Sequence, residues 1–464
     1  MNAVIEPLQI DASPEQVFLS FKDRPGCIWL DSARPDERFG RYSFLTAEPF
    51  LVFSSRGDRW TVRGHESAAG TGNPFAKLAE LLARHTSVHR ADTPFPLGGA
   101  FGYFGYDLKN QIERLPGRAP DDLSLPDCWF GFYDWLIVFD HMTDRVFQVG
   151  PQPVQLNVGG ASARRSVANV QAGRRAEAPP TFIESNFERV DFLRAVRRAK
   201  NYIAAGDIYQ VNLSQRFHAR ANVPAADLYL VLRETNPAPF AAYLDIGEAQ
   251  VLSSSPERFL RLSGRHVQTR PIKGTRPRTG DEANDQVAAR ELMMSAKDQA
   301  ELVMITDLER NDLGRVCEFG SVHVPELVRL EEYATVFHLV STVEGRLREG
   351  VSHVEALRAC FPGGSITGAP KIRAMEIIDE LEPHARGVYT GAIGYFGFNG
   401  ESDFNIAIRT MIQKGNDVYF HAGAGIVADS DPGAEYEETL AKARGMIAAL
   451  HSNTHAFRHS GTPH

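Results

Sequence analysis

The stretch 387–428, GVYTGAIGYFGFNGESDFNIAIRTMIQKGNDVYFHAGAGIVA, constrains the fold more than any other part of the chain. Apolar and polar residues alternate along it, Asn399-Gly400 supplies a two-residue hairpin turn, and Lys414-Gly415-Asn416 supplies a second. A chain that reverses this tightly pairs antiparallel, so the pattern predicts three antiparallel strands ending in a glycine-rich loop. Elsewhere the period changes. FERVDFLRAVRRAKNYIAA (187–205) repeats apolar residues every third and fourth position and stops at Gly206, as a helix with a glycine terminator does, and the strand-like QVNLSQRFHAR follows. Helices mixed with hairpins make the class α+β.

Residues 1–158 alternate short aromatic-rich runs such as GGAFGYFGYDL with turn signals, which predicts a β-rich N-terminal region. The text from 159 to 180 is small, polar and poor in large apolar residues, as a linker or surface loop is. Residues 181–452 then carry the chemistry, and 453–464 form a short polar tail expected to be loose.

With 43% hydrophobic and 23% charged residues, the 464-residue chain can bury a sizeable core. Its net charge of -8 and the lack of any Lys/Arg-rich tract make nucleic acid an unexpected partner. No apolar run is long enough to span a bilayer and the first residues do not read as a signal peptide, so no membrane association is expected and the cytoplasm is the expected location. Cys27, Cys128, Cys317 and Cys360 lie far apart with no CxxC pair, which argues for reduced, buried thiols over a zinc site or a disulfide framework.

Three constellations can carry chemistry. Helical spacing puts Asp298 and Glu301 on one face in SAKDQAELVMITDLER, and Glu435 and Glu438 on one face in GAEYEETLAKARGMIAAL. Hard carboxylate oxygens of this kind hold Mg²⁺, although each turn alone also reads as a solvated helix face with internal lysine pairs. Gly423 and Gly425 close a strand just ahead of the second acidic helix, and FPGGSITGAPKIRAMEIIDELE sets Thr367 and Pro370 at a helix start where free N–H groups favour an anion. Neither follows the Walker A pattern. Finally, SSSPERF and RPIKGTRPRTGD place Glu257 and Lys273 on what read as neighbouring strands, an acid and a nucleophile or base; a surface ion pair is the plain alternative. No GxSxG, HExxH or glutaminase-type cysteine loop is present.

Taken together, IYQVNLSQRF, NPAPFAAYL, SSSPERF, PIKGTRPR, SAKDQAELVMITDLERNDLGRV, FPGGSITGAPKIRAMEIIDELEP and GAGIVADSDPGAEYEET resemble the chorismate-utilising (anthranilate synthase component I) family, over about residues 180 to 450, with WLDSARPDERFGRYSFL resembling its N-terminal region. The resemblance implies packed antiparallel β-sheets wrapped by helices, with the N-terminal region interleaved into the same body. It implies Mg²⁺ held by Glu301 and Glu438 with Asp298 and Glu435 close by, and substrate contacts from Gly274, Thr275, Tyr389, Arg409, Gly423 and Gly425, with Thr367 a neighbour. His338 falls at the family's active-site histidine. Ser32, beside Asp31, and Pro239 fall where members bind tryptophan.

The same resemblance separates branches. Members that add water carry a lysine where this chain has Gln210, and an amide takes no proton from water, so Gln210 points to ammonia as nucleophile. Anthranilate synthases typically read PIAGT where this chain reads PIKGT, so Lys273 points to the aminodeoxychorismate synthase branch, amino transfer to the ring with pyruvate retained, which leads to 4-aminobenzoate and folate. There Lys273 attacks the ring, Glu257 protonates the departing hydroxyl, and a separate glutamine amidotransferase subunit (component II) supplies ammonia. No appended lyase domain is expected. Anthranilate synthase component I is the alternative, and an inactive scaffold subunit the remote one.

Overall fold

A computed structural model describes residues 4–33, 39–86, 93–151, 182–332 and 336–453. The expected linker at 159–180 and the tail beyond 453 lie outside these residues.

Two large antiparallel sheets stack face to face. Each draws strands from both ends of the sequence. In the first sheet Ile28–Asp31 pairs with Phe240–Asp245, and in the second Gly99–Phe104 pairs with Ala392–Gly397. The shared layer between them is aromatic and aliphatic: Ile28, Phe44, Leu244, Val251 and Ile412 face Phe101, Tyr103, Ile393 and Tyr395. Side chains of this size each contribute roughly 1.5–3 kcal/mol when removed from water, so two sheets with apolar inner faces have strong reason to stack.

Helices cover both outer faces. Pro14–Phe21, Ala225–Thr235 and Pro432–Asn453 pack on the first sheet through Phe18, Tyr229 and Met446. Pro74–Ala83, Ala296–Gly314 and His353–Cys360 cover the second through Leu78, Leu313 and Leu357. The helix read at 187–205 spans Arg189–Ala204, and Gly206 after it takes φ +81°, the left-handed terminator that its sequence announces. With Lys371–Leu381 it packs on the Gln210–Arg220 strand.

The C-terminal hairpin region departs from the three-strand expectation. It holds four strands, Ala392–Gly397, Glu401–Ile406, Thr410–Lys414 and Asp417–Ile426. The first two belong to one sheet and the last two to the other. DFNIAIRTMIQ keeps alternating through the break, so nothing in its composition marks a turn, but Arg409 adopts φ +50° and carries the chain from one sheet to the other. The Gln250–Ser255 strand and the Arg258–Ser263 strand also lie in different sheets, so Pro256 and Glu257 form a second crossing. Glu257 therefore sits on a connection, not on a strand as its sequence suggested.

Candidate active site

The two crossings open onto one cavity of about 500 Å³. Its walls gather Glu257, Lys273, Gly274, Thr275, His338, Tyr389, Arg409, Gly423, Gly425, Asp298, Glu301, Glu435 and Glu438. Two expected residues stand directly behind the lining. Thr367 is fully buried with its hydroxyl donating to the Gly363 carbonyl at 2.8 Å, which locks its own turn. Gln210 is buried behind Gly425, where its Nε2 stands 2.5 Å from the position a Cβ would take. The start of the Lys371–Leu381 helix does not line the cavity either; the preceding turn reaches it through Ser365 and Ile366.

Lys273 lies on the Ile272–Pro277 strand, where the register against Val336–Arg346 slips between Lys273 and Thr275. The extra residue is Gly274 at φ +70°, a glycine bulge that re-aims the side chains beside it. A Cβ there would stand 2.8 Å from Leu292 Cδ1 and 3.0 Å from Asp298 Cβ. Gly274→Ala is expected to cost about 1–3 kcal/mol through φ strain and crowding, and to displace Lys273. A thermal melt unchanged from the parent, with full activity, contradicts this.

The Lys273 side chain lines the cavity, and its Nζ donates to the Ser365 carbonyl at 3.1 Å. Ser365 Oγ in turn donates to Glu257 Oε1 at 2.7 Å, so one residue touches both reacting groups. Burial lowers the pKa of Lys273, opposed by the Glu257 carboxylate. Burial likewise raises Glu257, opposed by Lys273 and by the Ser365 hydroxyl. Both shifts favour the uncharged forms, a neutral amine beside a carboxylic acid. His338 Nδ1 is hydrogen-bonded to Thr275 Oγ1 at 2.9 Å across the same strand pair.

Arg409 lines the cavity at the turn between the two sheets. Among the described residues no carboxylate pairs with it; Nη1 donates only to Asn236 Oδ1 at 3.3 Å, and burial lowers its pKa. A desolvated guanidinium with a left-handed backbone and no acid of its own fits a ligand carboxylate. Gly423 lines the same cavity, and a Cβ there would stand 2.7 Å from Asn212 Oδ1 and 2.9 Å from Tyr389 Oη. The floor beneath is braced by buried Arg386, which pairs with Glu382 at 2.7 Å and donates to the carbonyls of Ile366 and Asn212, both at 3.0 Å.

The acids enter from two helices. Ser295 caps the Ala296–Gly314 helix by accepting from the Asp298 N–H, and Asp431 receives the Ala434 N–H at the start of Pro432–Asn453. Asp298, Glu301, Glu435 and Glu438 thus occupy first and second turns facing the cavity. Burial raises Glu301 and Glu435. Among the described residues no three acidic, histidine or cysteine side chains are close enough to bind one ion together. Two carboxylates at most are on offer, and Mg²⁺ is commonly held by one or two with water and substrate completing its shell. The residues fit that ion.

Ser32 and Pro239 meet away from this site. Ser32 Oγ donates to the Pro239 carbonyl at 3.3 Å beside a separate cavity of about 70 Å³.

The sequence reading passed over Asn212, Ser365, Arg386, His421 and Lys442. Lys442 was legible as the i+4 partner of Glu438, and Ser365 lies inside a motif already singled out. Arg386, and His421 whose ring stacks on Tyr389 in the cavity wall with centroids 4.9 Å apart, carry no local signal, since their contacts come from segments distant in sequence.

The chain belongs to the chorismate-binding enzymes, whose sequence model matches residues 25–448. Within that family two named groups are about equally similar to it. The chain is 41% identical over 453 residues to aminodeoxychorismate synthase component 1 of Escherichia coli, covering 97% of this chain and 98% of that one. It is 41% identical over 447 residues to anthranilate synthase component 1 of Thermus thermophilus, covering 94% and 95%. Among solved structures, anthranilate synthase component I of Streptococcus pneumoniae superimposes with a TM-score of 0.75 at 34% identity, covering 89% of this chain and 93% of that one.

Proposed function

We propose that the chain is an aminodeoxychorismate synthase component I, converting chorismate and ammonia into 4-amino-4-deoxychorismate. The observation that carries this reading is Lys273 joined to Glu257 through Ser365 inside the cavity. Retention at C4 follows from two allylic displacements. The neutral Lys273 amine attacks ring C2, both conjugated ring double bonds shift along the ring, and the C4 hydroxyl leaves as water with the Glu257 proton. Ammonia then attacks C4, both double bonds shift back, Lys273 departs from C2 as a free amine, and the Glu257 carboxylate recovers its proton from the new C4 ammonium. Arg409 holds a substrate carboxylate throughout, and Gly423 and Gly425 let the ring approach the strand backbone. Glu301 and Glu438, with Asp298 and Glu435 beside them, would hold Mg²⁺, which when bound supplies charge for the ring carboxylate.

The ammonia source is external in this reading. All four cysteines are buried and unpaired, and burial pushes every thiol up, Cys317 to about 11, so none offers the thiolate a glutaminase needs. A glutamine amidotransferase subunit is the partner this implies. No helix among the described residues is long and apolar enough to cross a membrane, in keeping with work in the cytoplasm.

Anthranilate synthase is the second reading, favoured by the equal similarity of relatives of that name. The two differ in pyruvate. Incubation with chorismate, Mg²⁺ and ammonium, coupled to lactate dehydrogenase, is expected to consume chorismate with no pyruvate formed. Stoichiometric pyruvate with anthranilate fluorescence contradicts the proposal, and no turnover at saturating ammonium favours the scaffold. Tryptophan at the Ser32–Pro239 cavity is a separate proposal that a calorimetric titration without heat would remove.

A further inference from the structure

Three of the four cavity acids already have a cation at hand. Arg276 stands 3.2 Å from Asp298, Lys297 3.9 Å from Glu301, and Lys442 2.7 Å from Glu438. Lys297 is a loose partner, and with lysine preceding glutamate at i,i+4 it has the less favourable helical order. Lys442 has the favourable order and does more. Its Nζ also donates to the Gly423 carbonyl at 3.0 Å, on the strand where a ligand approaches the backbone, and the side chain itself lines the cavity. One ammonium thus bridges an acid on the Pro432–Asn453 helix and the glycine wall. A divalent cation on the Glu438 carboxylate and an ammonium 2.7 Å from it repel each other strongly, so both cannot keep the same oxygens.

We propose that Lys442 is a placeholder cation: it occupies Glu438 in the metal-free protein, yields the carboxylate to an incoming divalent ion, and is then presented beside Gly423 to a carboxylate of the substrate. Lys442 is a positioning residue that makes metal and substrate binding ordered, metal first. Glu438 is already oriented when the ion arrives, because the lysine has held it against the cavity wall. The inference rests on the reading of Glu438 as a metal ligand.

The test is calorimetric titration of the full chain with MgCl₂ at low salt and without chorismate. Lys442→Met is expected to bind Mg²⁺ about tenfold tighter than the parent, since a positive charge competing for the site is gone, whereas Lys442→Arg, which keeps the charge, is expected to match the parent. Steady-state kinetics of Lys442→Met should show a raised KM for chorismate. The side chain is 45% exposed, so the substitution should leave the thermal melt unchanged. Equal or weaker Mg²⁺ binding by Lys442→Met overturns the proposal. Glu438→Gln separates the two levels: if it weakens Mg²⁺ binding while Lys442→Met changes nothing, only the placeholder role falls, and if it does not weaken binding, the metal assignment falls with it.

Discussion

Replacing Lys273 by alanine is expected to lower the rate of chorismate amination by more than about a thousandfold, with the fold retained. The lysine's one hydrogen bond is to the Ser365 carbonyl, and its strand is held by the ladder to Val336–Arg346, so truncation removes a nucleophile without unpairing a strand. The buried charge left behind is Glu257. Because the ammonium is what draws the Glu257 pKa down, its loss pushes that carboxyl further up, and the acid relieves its own desolvation by keeping its proton. The variant should therefore melt near the parent temperature and still bind chorismate through Arg409. Rates from purified protein with saturating ammonium check this. Parent-like turnover removes the covalent role.

Glu257→Gln is expected to cost about 10²- to 10⁴-fold in kcat, the usual worth of a positioned proton donor. It also makes a prediction in pH. In the parent, Lys273 and Glu257 share one proton in the active form: the amine must be free to attack and the acid must hold a proton to give. Burial lowers the first pKa and raises the second. At low pH the lysine takes a second proton and the rate falls; at high pH the acid has lost its proton and the rate falls again, giving a bell. The amide has no proton to lose in this range, so the alkaline limb should flatten. The acidic limb should stay near the parent's, because on that limb Glu257 already holds its proton and the neutral amide stands in for it. An unchanged bell contradicts the pairing.

Local pattern carried much of this site. The acid pairs at Asp298–Glu301 and Glu435–Glu438 were legible because helical spacing needs only one segment, and both helices form with their acids at the cavity. PIKGT was legible as a motif, but the bulge that gives it meaning was not, since a register slip exists only against the partner strand. Arg409 shows the same limit more sharply. DFNIAIRTMIQ alternates like one strand, and only the two-sheet body explains why the chain must turn out of one ladder and into the other at that residue. Glu257 was misplaced onto a strand for the same reason. Thr367 is a neighbour of the cavity, its hydroxyl bonded to the Gly363 carbonyl and its own carbonyl accepting from Asn212 in the wall, a placement its motif alone does not show. Tertiary pairing, not composition, decides each of these.

The central claim is that this cavity adds ammonia at C4 and keeps the enolpyruvyl group. It is tested most directly by incubating the chain alone with chorismate, Mg²⁺ and ¹⁵N-ammonium and reading the product by NMR and mass spectrometry. The predicted product carries ¹⁵N on C4 of a non-aromatic ring with the enolpyruvyl side chain intact. An aromatic product with ¹⁵N on C2 and free pyruvate would contradict the account.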